Sequence, residues 1–368
     1  MNKRIKCALT AAAMGAALFS GAAFAQSSVN LYGQIDAWAG VQKFPGSKSS
    51  VGVQGGGMST SYWGLKGTED LGGGYKTIFQ LEDFFLPQTG AYGRFQGDSF
   101  FSRNSYVGIE APWGTVKAGR LTTELFISTI LFNPFIDSYE FSPMVWHVYL
   151  GMGTFPTYTT DQGVTGDSGW NNAVEYSTPD YNGLTASAMY GFGNTAGSAG
   201  YHKDSVQALY FHGPFAATAV YQYVNFNSAA KDLASTDVTG LTSQSVVQLG
   251  ATYDLKFAKL YAQYMYTYNK DLLGNFKVNT GQLGATIPFG VGHFMLSDAY
   301  SKDSGGFKTT HNTWAVGYDY PLSKRTDVYA AYMSDRYTGG QSVQATAEGA
   351  VPTIGTGNTA GVGLRHEF

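Results

Sequence analysis

The chain has 368 residues, a formal net charge of −3 and only 13% charged residues, against about a quarter in a typical soluble protein. The acidic balance, with no basic patch or arm, argues against nucleic acid as a partner. No run of eighteen apolar residues follows residue 25, which argues against a helical membrane protein.

Residues 1–25 have the pattern of a secretory signal. Three basic residues are followed by a short apolar stretch and an A-x-A cleavage site at Ala23–Ala25. An N-terminal anchor helix is the alternative. Cys7, the only cysteine, would leave with the signal, so we expect a mature chain without disulfides. Its formal net charge would be about −6, because three basic residues leave too.

Residues alternate with period two from Val29 to Trp38 and again in "WGLKGTEDLGGGYKTIFQLED", from Trp63 to Asp83. In the second stretch the two alternating arms flank Gly72–Gly74. Period two around a glycine-rich turn predicts an antiparallel hairpin.

The same pattern recurs along the rest of the chain. Tight turns are predicted at Pro179–Gly183, His212–Pro214, Asp254–Phe257, Pro288–Gly290 and Pro321–Lys324. They alternate with long polar segments, so tight turns lie at one end of the strands and long loops at the other. About sixteen arms of roughly ten residues are counted, and no linker divides them.

This organisation predicts an all-β fold over residues 26–368, a sixteen-stranded antiparallel transmembrane β-barrel. Closure is required because every backbone donor in hydrocarbon needs a partner. The ending "TAGVGLRHEF" alternates up to Phe368 and is expected to pair with the first strand. A soluble β-sandwich, with the apolar face as its core, is the alternative, although a sandwich does not need tight turns at one end only.

Four stretches carry the resemblance to a known family: "SSVNLYGQIDAW", the hairpin "WGLKGTEDLGGGYKTIFQLED", "FSRNSYVGIEAPWGTVKAGR" and "GVGLRHEF". They resemble the trimeric general porins of Gram-negative outer membranes, in their betaproteobacterial branch. The resemblance covers essentially the whole mature chain. It implies a homotrimeric channel in the outer membrane, reached through the periplasm, whose inward-folded third extracellular loop narrows the lumen.

The resemblance also implies partners and a charge arrangement. Outer-membrane lipids and lipopolysaccharide would surround the barrel, and small hydrophilic solutes and ions would cross it passively, without a cofactor or metal. In this family acidic residues on the loop side face a basic cluster on the wall. The matching positions here are Arg103, Glu82, Arg120, Lys66 and Asp36. The alternative for each is an ordinary lumen charge, since charges facing water are common in a wide barrel.

Two wall positions depart from the family's pattern. Tyr62 in "SYWGLKG" and Glu175 in "NNAVEY" stand where the family usually has arginine. One positive charge is thus lost and another reversed. Because selectivity follows the sign of the charge at the narrowest part, we expect weaker anion preference or cation preference.

The constriction loop is expected at about residues 121–168, and it also departs from the family's usual sequence. It carries three acidic candidates, Glu124, Asp137 and Glu140, and many large apolar side chains. These are Leu125, Phe126, Ile130, Leu131, Phe132, Phe135, Tyr139, Phe141, Trp146, Tyr149 and Phe155. Either they pack the loop against the inner wall, or some, such as Phe135, Tyr139 or Trp146, stack on sugars or small aromatic solutes.

Two other functions were considered. An outer-membrane barrel hydrolase would need a nucleophile oriented by histidine, but the six histidines lie in no recognisable serine or metal motif. A structural or adhesin barrel without channel activity has no positive sequence signal.

Overall fold

The computed structural model describes residues 28–45, 47–95, 97–150, 168–193, 202–225, 241–271, 275–304, 309–339 and 355–368. The predicted signal at 1–25 and the part of the predicted loop at 151–167, with Phe155, lie outside the described residues.

β-Strands make up most of the described chain. They are β1 (Ser28–Lys43), β2 (Ser50–Gly55), β3 (Tyr62–Gly72), β4 (Tyr75–Leu86), β5 (Ala91–Tyr92), β6 (Asn104–Ala111), β7 (Gly114–Thr122), β8 (Gly169–Ser177), β9 (Leu184–Gly191), β10 (Lys203–His212), β11 (Phe215–Asn225), β12 (Leu241–Asp254), β13 (Lys259–Asp271), β14 (Phe276–Phe289), β15 (Gly292–Ser304), β16 (Thr309–Pro321), β17 (Thr326–Gly339) and β18 (Gly355–Glu367). Every pairing between them is antiparallel.

The strands form a closed barrel of sixteen positions. β2 and β3 pair with successive halves of β1, so together they occupy one strand position of the barrel. β5 pairs only with β4 and lies outside the ring. β18 pairs with β1 from Gln34–Glu367 to Lys43–Asn358. The backbones of Gly33 and Phe368 also exchange hydrogen bonds of 3.2 and 3.0 Å. The predicted fold class and its closure are confirmed.

Short turns join the strands at one end of the barrel. The connections from β3 to β4 and from β6, β8, β10, β12, β14 and β16 to the strand that follows each are two to six residues long. Gly72, Gly73 and Gly74 have φ values of +81°, +64° and +84°, a region that favours glycine. Short connections therefore lie at the positions where tight turns were predicted from the sequence.

Each strand presents two different faces. On β12 Val247 and Leu249 are exposed, while Gln244 and Gln248, which alternate with them, are buried. We call these the apolar face and the polar face, and the same alternation runs through β10 to β17. A closed barrel with apolar side chains outside and polar side chains inside is built for a lipid exterior and a hydrated interior.

The segment after β7 contains the helices of the described chain. α1 (Glu124–Leu131) is capped by Thr123, whose hydroxyl accepts from the Phe126 N–H at 3.3 Å. α2 (Pro143–Val145) continues into a π-helical turn, Trp146–Leu150. None of the helices in the described residues is long and apolar enough to cross a membrane.

This segment packs against the polar face. Gln207 donates to the Glu124 carbonyl at 3.0 Å, and Gln263 donates to the Phe132 carbonyl at 2.8 Å. α2 lies instead beside β15 and β16. The segment that follows one strand pair is thus fastened to strands far from it around the ring.

Candidate functional site

Arg103, which directly precedes β6, forms an ion pair with Glu82 on β4. The guanidinium lies 2.5 Å from the carboxylate, because Glu82 on β4 is opposite Asn104, which follows Arg103. The Arg103 guanidinium also lies over the Tyr62 ring, 4.1 Å from its centroid, a favourable cation–π arrangement. The expectation that Glu82 opposes Arg103 across the lumen is wrong, since both lie on one stretch of wall.

Glu82 is fully buried, and its carboxylate accepts hydrogen bonds from three side chains. Its carboxylate accepts from the Tyr32 hydroxyl at 2.7 Å and from the Asn104 amide at 2.6 Å, besides Arg103. A buried carboxylate with three donors has its charge compensated locally. Lys66 joins this group from β3, with its ammonium 4.4 Å from the centroid of the Tyr32 ring.

The resemblance to the family led us to expect that Asp36 faces water, but the structure contradicts this. Asp36 is fully buried, and its carboxylate accepts from the N–H groups of Gly57, Met58 and Ser59 at 3.1, 2.8 and 2.9 Å. The Tyr329 hydroxyl donates at 2.5 Å. Asp36 therefore fixes the connection between β2 and β3.

Arg120, on β7, connects three parts of the wall. Its guanidinium donates to the Ser102 carbonyl at 2.6 Å, to the Gly169 carbonyl at 3.3 Å and to the Asn171 side chain at 2.7 Å. These bonds hold the Arg120 side chain where the loop segment leaves β7 and the chain returns in β8.

Glu175 is paired with Lys117. The two residues face each other in the β7–β8 register, and the ammonium lies 3.0 Å from the carboxylate. The Ser177 hydroxyl donates to the same carboxylate oxygen at 2.8 Å. The negative charge that replaces the family's arginine therefore has a positive partner on the neighbouring strand.

The three loop acids meet the wall in different ways. Asp137 accepts from the Ser59 hydroxyl at 2.7 Å, and Glu140 accepts from the Gln42 amide at 2.7 Å. Glu124 is buried at the start of α1. Burial raises the pKa of Glu124 to about 7 and that of Glu140 to about 8, and it also raises the pKa of Asp137.

Two of the loop aromatics proposed to stack on solutes are buried. Phe135 packs with Trp38, Phe141 and other core residues, and Trp146 belongs to the same cluster, 5.8 Å from the Phe44 ring. Tyr139 is only half-buried and lies beside the Phe126 ring, with centroids 6.4 Å apart. Of the three, Tyr139 alone is partly exposed.

Wall glycines make room for the loop's ring side chains. A Cβ added at Gly250 would lie 3.0 Å from Phe132, at Gly284 2.5 Å from Pro134, and at Gly317 3.1 Å from Phe135. The polar face of β12, β14 and β16 is thus shaped around Phe132–Phe135. The sequence left two alternatives for the loop aromatics, packing against the wall or stacking on solutes. In this region they pack against the wall.

The comparison with known proteins follows from this architecture. Residues 8–340 match the family described as Gram-negative porin. The chain belongs to the Gram-negative porin family. The recognition made from the four sequence stretches is confirmed.

Relatives of this porin agree with the assignment. It is 33% identical to outer membrane porin protein 32 of Delftia acidovorans over 95% of this chain and 96% of the relative. It is 30% identical to an outer membrane porin protein of Bordetella pertussis over 99% and 100% of the two chains. The structure of the anion-selective porin from Comamonas acidovorans covers 93% of this chain and all of its own, with 25% identity and a TM-score of 0.74.

The protein is therefore an outer-membrane porin, a channel rather than an enzyme. One group of side chains on the π-helical turn, β15, β16 and β17 combines a histidine with hydroxyls and a carboxylate. His147 contacts the hydroxyls of Ser301 and Thr313, and Asp335 lies beside Thr313. All of these side chains are buried, so no substrate carbonyl reaches them.

Sequence reasoning missed two residues of this region, Lys117 and His147. Lys117 stands in "GTVKAGR", where nothing local marks it, and its importance comes from the β7–β8 register. His147 lies among loop aromatics, and its partners are more than 150 positions later in the chain. Only the alternation of β15 and β16 could have indicated which hydroxyls share a face.

Proposed function

We propose that this porin is a weakly selective channel whose lumen is narrowed by the segment from Leu121 to about residue 168. The observation that supports it most is the pairing of Arg103 with Glu82 at 2.5 Å. A positive wall opposed by an acidic loop produces a transverse field, whereas an internally neutralised wall produces a much weaker one.

The loop's contacts support its role as the constriction. Its described part is fastened to the polar face at both α1 and the π-helical turn, and Phe132–Phe135 fill the space left by wall glycines. A segment bound to the polar face by such contacts would occupy part of the lumen. Arg103, Arg120, Lys66, Tyr62 and Asp137 would border the remaining opening.

The charges predict the direction of selectivity. Arg103 is matched by Glu82, and Lys117 is matched by Glu175. Burial favours the neutral form of Glu124 and Glu140. The Comamonas acidovorans relative is anion-selective by its title. We infer that this chain is less so, because Tyr62 and Glu175 remove positive charge from its wall.

Selectivity measurements on three variants test the arrangement. Arg103→Ala leaves Glu82 without its cation and should move the reversal potential in a salt gradient toward cations. Glu82→Gln frees the guanidinium and should move it toward anions. A screened charge worth about 1 kcal/mol corresponds to about a fivefold change in permeability ratio.

The double variant distinguishes a pair from two independent charges. Arg103→Ala with Glu82→Gln should return close to the wild-type value, because both members of the pair are gone. Arg325→Ala, in the turn between β16 and β17, is the control and should leave selectivity unchanged. Unchanged reversal potentials in both single variants would show that this pair does not lie at the constriction.

The proposal includes trimers in a membrane whose outer leaflet carries lipopolysaccharide. A structure of OmpT from Vibrio cholerae, described as a trimer form, shares the fold at 15% identity with a TM-score of 0.64. Exposed apolar side chains such as Leu249 and Leu283 would face lipid or a neighbouring subunit. A heat-sensitive oligomer in gel electrophoresis, with conductance in steps of three, is expected. A folded monomer would contradict the trimer.

The preference for sugars or small aromatics is kept as a narrower proposal that depends on Tyr139. Its ring is partly exposed, whereas the rings of Phe135 and Trp146 are buried. Solute-induced blocking of single-channel current should therefore weaken in Tyr139→Ala and persist in Leu131→Ala, an exposed position on α1. No blocking by sugars or aromatic solutes in the wild type would reject this preference.

A further inference from the structure

Two histidines stack face to face where the loop segment meets the far side of the barrel. The rings of His147, in the π-helical turn, and His311, on β16, have centroids 3.7 Å apart and are tilted by 6°. Tyr337 of β17 stacks on His311 at 3.7 Å and 15°. Because two parallel rings cannot share one face at that distance, His311 lies between the other two.

A chain of hydrogen bonds determines which nitrogen of His147 carries the proton. Asp335 accepts from the Thr313 hydroxyl at 2.5 Å and from His311 Nε2. Because the Thr313 hydrogen goes to Asp335, Thr313 Oγ1 serves as the acceptor for His147 Nε2–H at 2.9 Å; it also lies 2.9 Å from His311 Nε2, whose hydrogen goes to Asp335. The other nitrogen of His147, Nδ1, then accepts from the Ser301 hydroxyl at 2.5 Å.

Both nitrogens of neutral His147 are therefore satisfied in this arrangement. The hydroxyl of Ser301 is itself 2.8 Å from that of Thr280. A second proton on His147 would require Ser301 to reverse its hydrogen bond. It would also place a positive charge, shielded from water, against the ring of His311.

The surrounding charges come from three strands. β15 presents Asp303, two residues from Ser301 on the same face. β16 presents His311, and β17 presents Asp335 and Tyr337. The carboxylate of Asp335 accepts hydrogen bonds from Thr313 and His311.

We propose that His147 is a positioning residue: in its neutral form it holds α2 and the π-helical turn, residues 143–150, against β15 and β16, and protonation in acid releases them. The proposal rests on the proposed role of the segment as the constriction. Its pH direction follows from the geometry. Burial, and next the neighbouring His311, lower the pKa of His147 well below its usual value. The docked state thus keeps its full stability above about pH 6.5 and loses it as pH falls toward the lowered value.

The experiment measures loop mobility and channel current separately. A nitroxide label on Tyr149→Cys, in the π-helical turn, reports the mobility of that turn, and planar-bilayer recordings report current noise, both between about pH 4 and about pH 8. With an otherwise unchanged loop, acid should mobilise the label and increase the noise in the same pH window. In His147→Gln, which keeps hydrogen-bonding capacity without titrating, that transition should be absent.

Three further variants complete the design. His147→Ala should be mobile at every pH, because both packing and hydrogen bonds are lost. His311→Gln removes the neighbouring imidazole, which lowers the pKa of His147, and should therefore move the transition to higher pH. His293→Ala, at a turn on the opposite end of β15, should behave as the parent does.

The outcomes separate this inference from the proposed function. A label that stays immobile in acid, or an identical acid transition in His147→Gln, overturns the positioning role. A label mobilised by acid while current and noise stay constant supports the positioning role but rejects the segment as the constriction. Parallel changes in both, absent in His147→Gln, support both.

Discussion

The carboxylate of Glu175 lies 3.0 Å from the ammonium of Lys117 across the β7–β8 pair, with both residues in direct register. Glu175 occupies a position where the resembling family usually has a positive charge, so its pairing decides how much negative charge the wall gains. A charge matched at 3.0 Å contributes little at longer range in a hydrated, salt-containing lumen.

Neutralising Glu175 and neutralising Lys117 should shift the ion selectivity in opposite directions. Glu175→Gln frees the Lys117 ammonium and should favour anions, whereas Lys117→Met leaves the buried Glu175 charge and should favour cations. The expected change is up to about fivefold in permeability ratio, from about 1 kcal/mol of screened interaction. Reversal potentials in a salt gradient measure it.

The matched control is another lysine–glutamate pair, Lys76 and Glu110, near the turn end of the barrel. Both side chains are largely exposed and lie 3.2 Å apart, so Glu110→Gln should leave the reversal potential unchanged. Equal shifts from Glu110→Gln and Glu175→Gln would show that position in the barrel has no influence.

Asp36 leads to a prediction about stability rather than transport. Its carboxylate accepts from three backbone N–H groups and from Tyr329. Asp36→Asn turns one acceptor oxygen into a donor that faces other donors, which should lower the free energy of unfolding by about 2–4 kcal/mol. Urea midpoints of the folded protein in detergent measure the loss, and Glu69→Gln, at an exposed position on β3, should not change them.

Local patterns in the sequence were sufficient for the barrel. Alternation, tight turns and the ending at Phe368 depend on residues close together in the chain, so strands, turns and closure could all be predicted. The ion pairs could not. Lys117 and Glu175 are 58 positions apart, and their contact depends on the register across an intervening loop, which nothing local determines.

Asp36 and Glu82 show a second limit of the sequence. Alternation correctly indicated that both side chains point to the inner side of the barrel. It did not show that the connection after β2 folds over Asp36, or that Tyr32 and Asn104 reach Glu82. Such contacts come from tertiary packing, which turns an expected water-facing charge into a buried one.

Gly284 on β14 offers a test of how tightly the loop is held. A Cβ there would lie 2.5 Å from Pro134 of the loop. Gly284→Ala should therefore displace Phe132–Phe135, at a cost of about 1–3 kcal/mol, and change the single-channel conductance. Gly281→Ala is the control on the same strand, because a Cβ at Gly281 meets nothing within 4 Å. Wild-type conductance and stability in Gly284→Ala would contradict the packing of Pro134 against this glycine.

Glu140 should make selectivity depend on pH in the alkaline range. The pKa of Glu140 is raised to about 8: burial raises it most, the hydrogen bond from Gln42 partly opposes the rise, and the nearby charge of Asp36 adds to it. The docked loop therefore favours protonated Glu140. This contribution to loop stability is fully present below about pH 4.5 and is lost as pH rises through about 8. Over the upper part of that window the loop gains a negative charge, so cation permeability should increase.

Reversal potentials measured between about pH 6 and about pH 9.5 check this expectation. The wild type should become more cation-selective with a midpoint near 8, and Glu140→Gln should lack that component. His147→Gln should keep it, since the imidazole titrates in acid and the carboxyl in alkali. Glu69→Gln serves as the control for a surface carboxylate. A flat profile in the wild type, or an unchanged profile in Glu140→Gln, would show that this carboxyl does not control the pore.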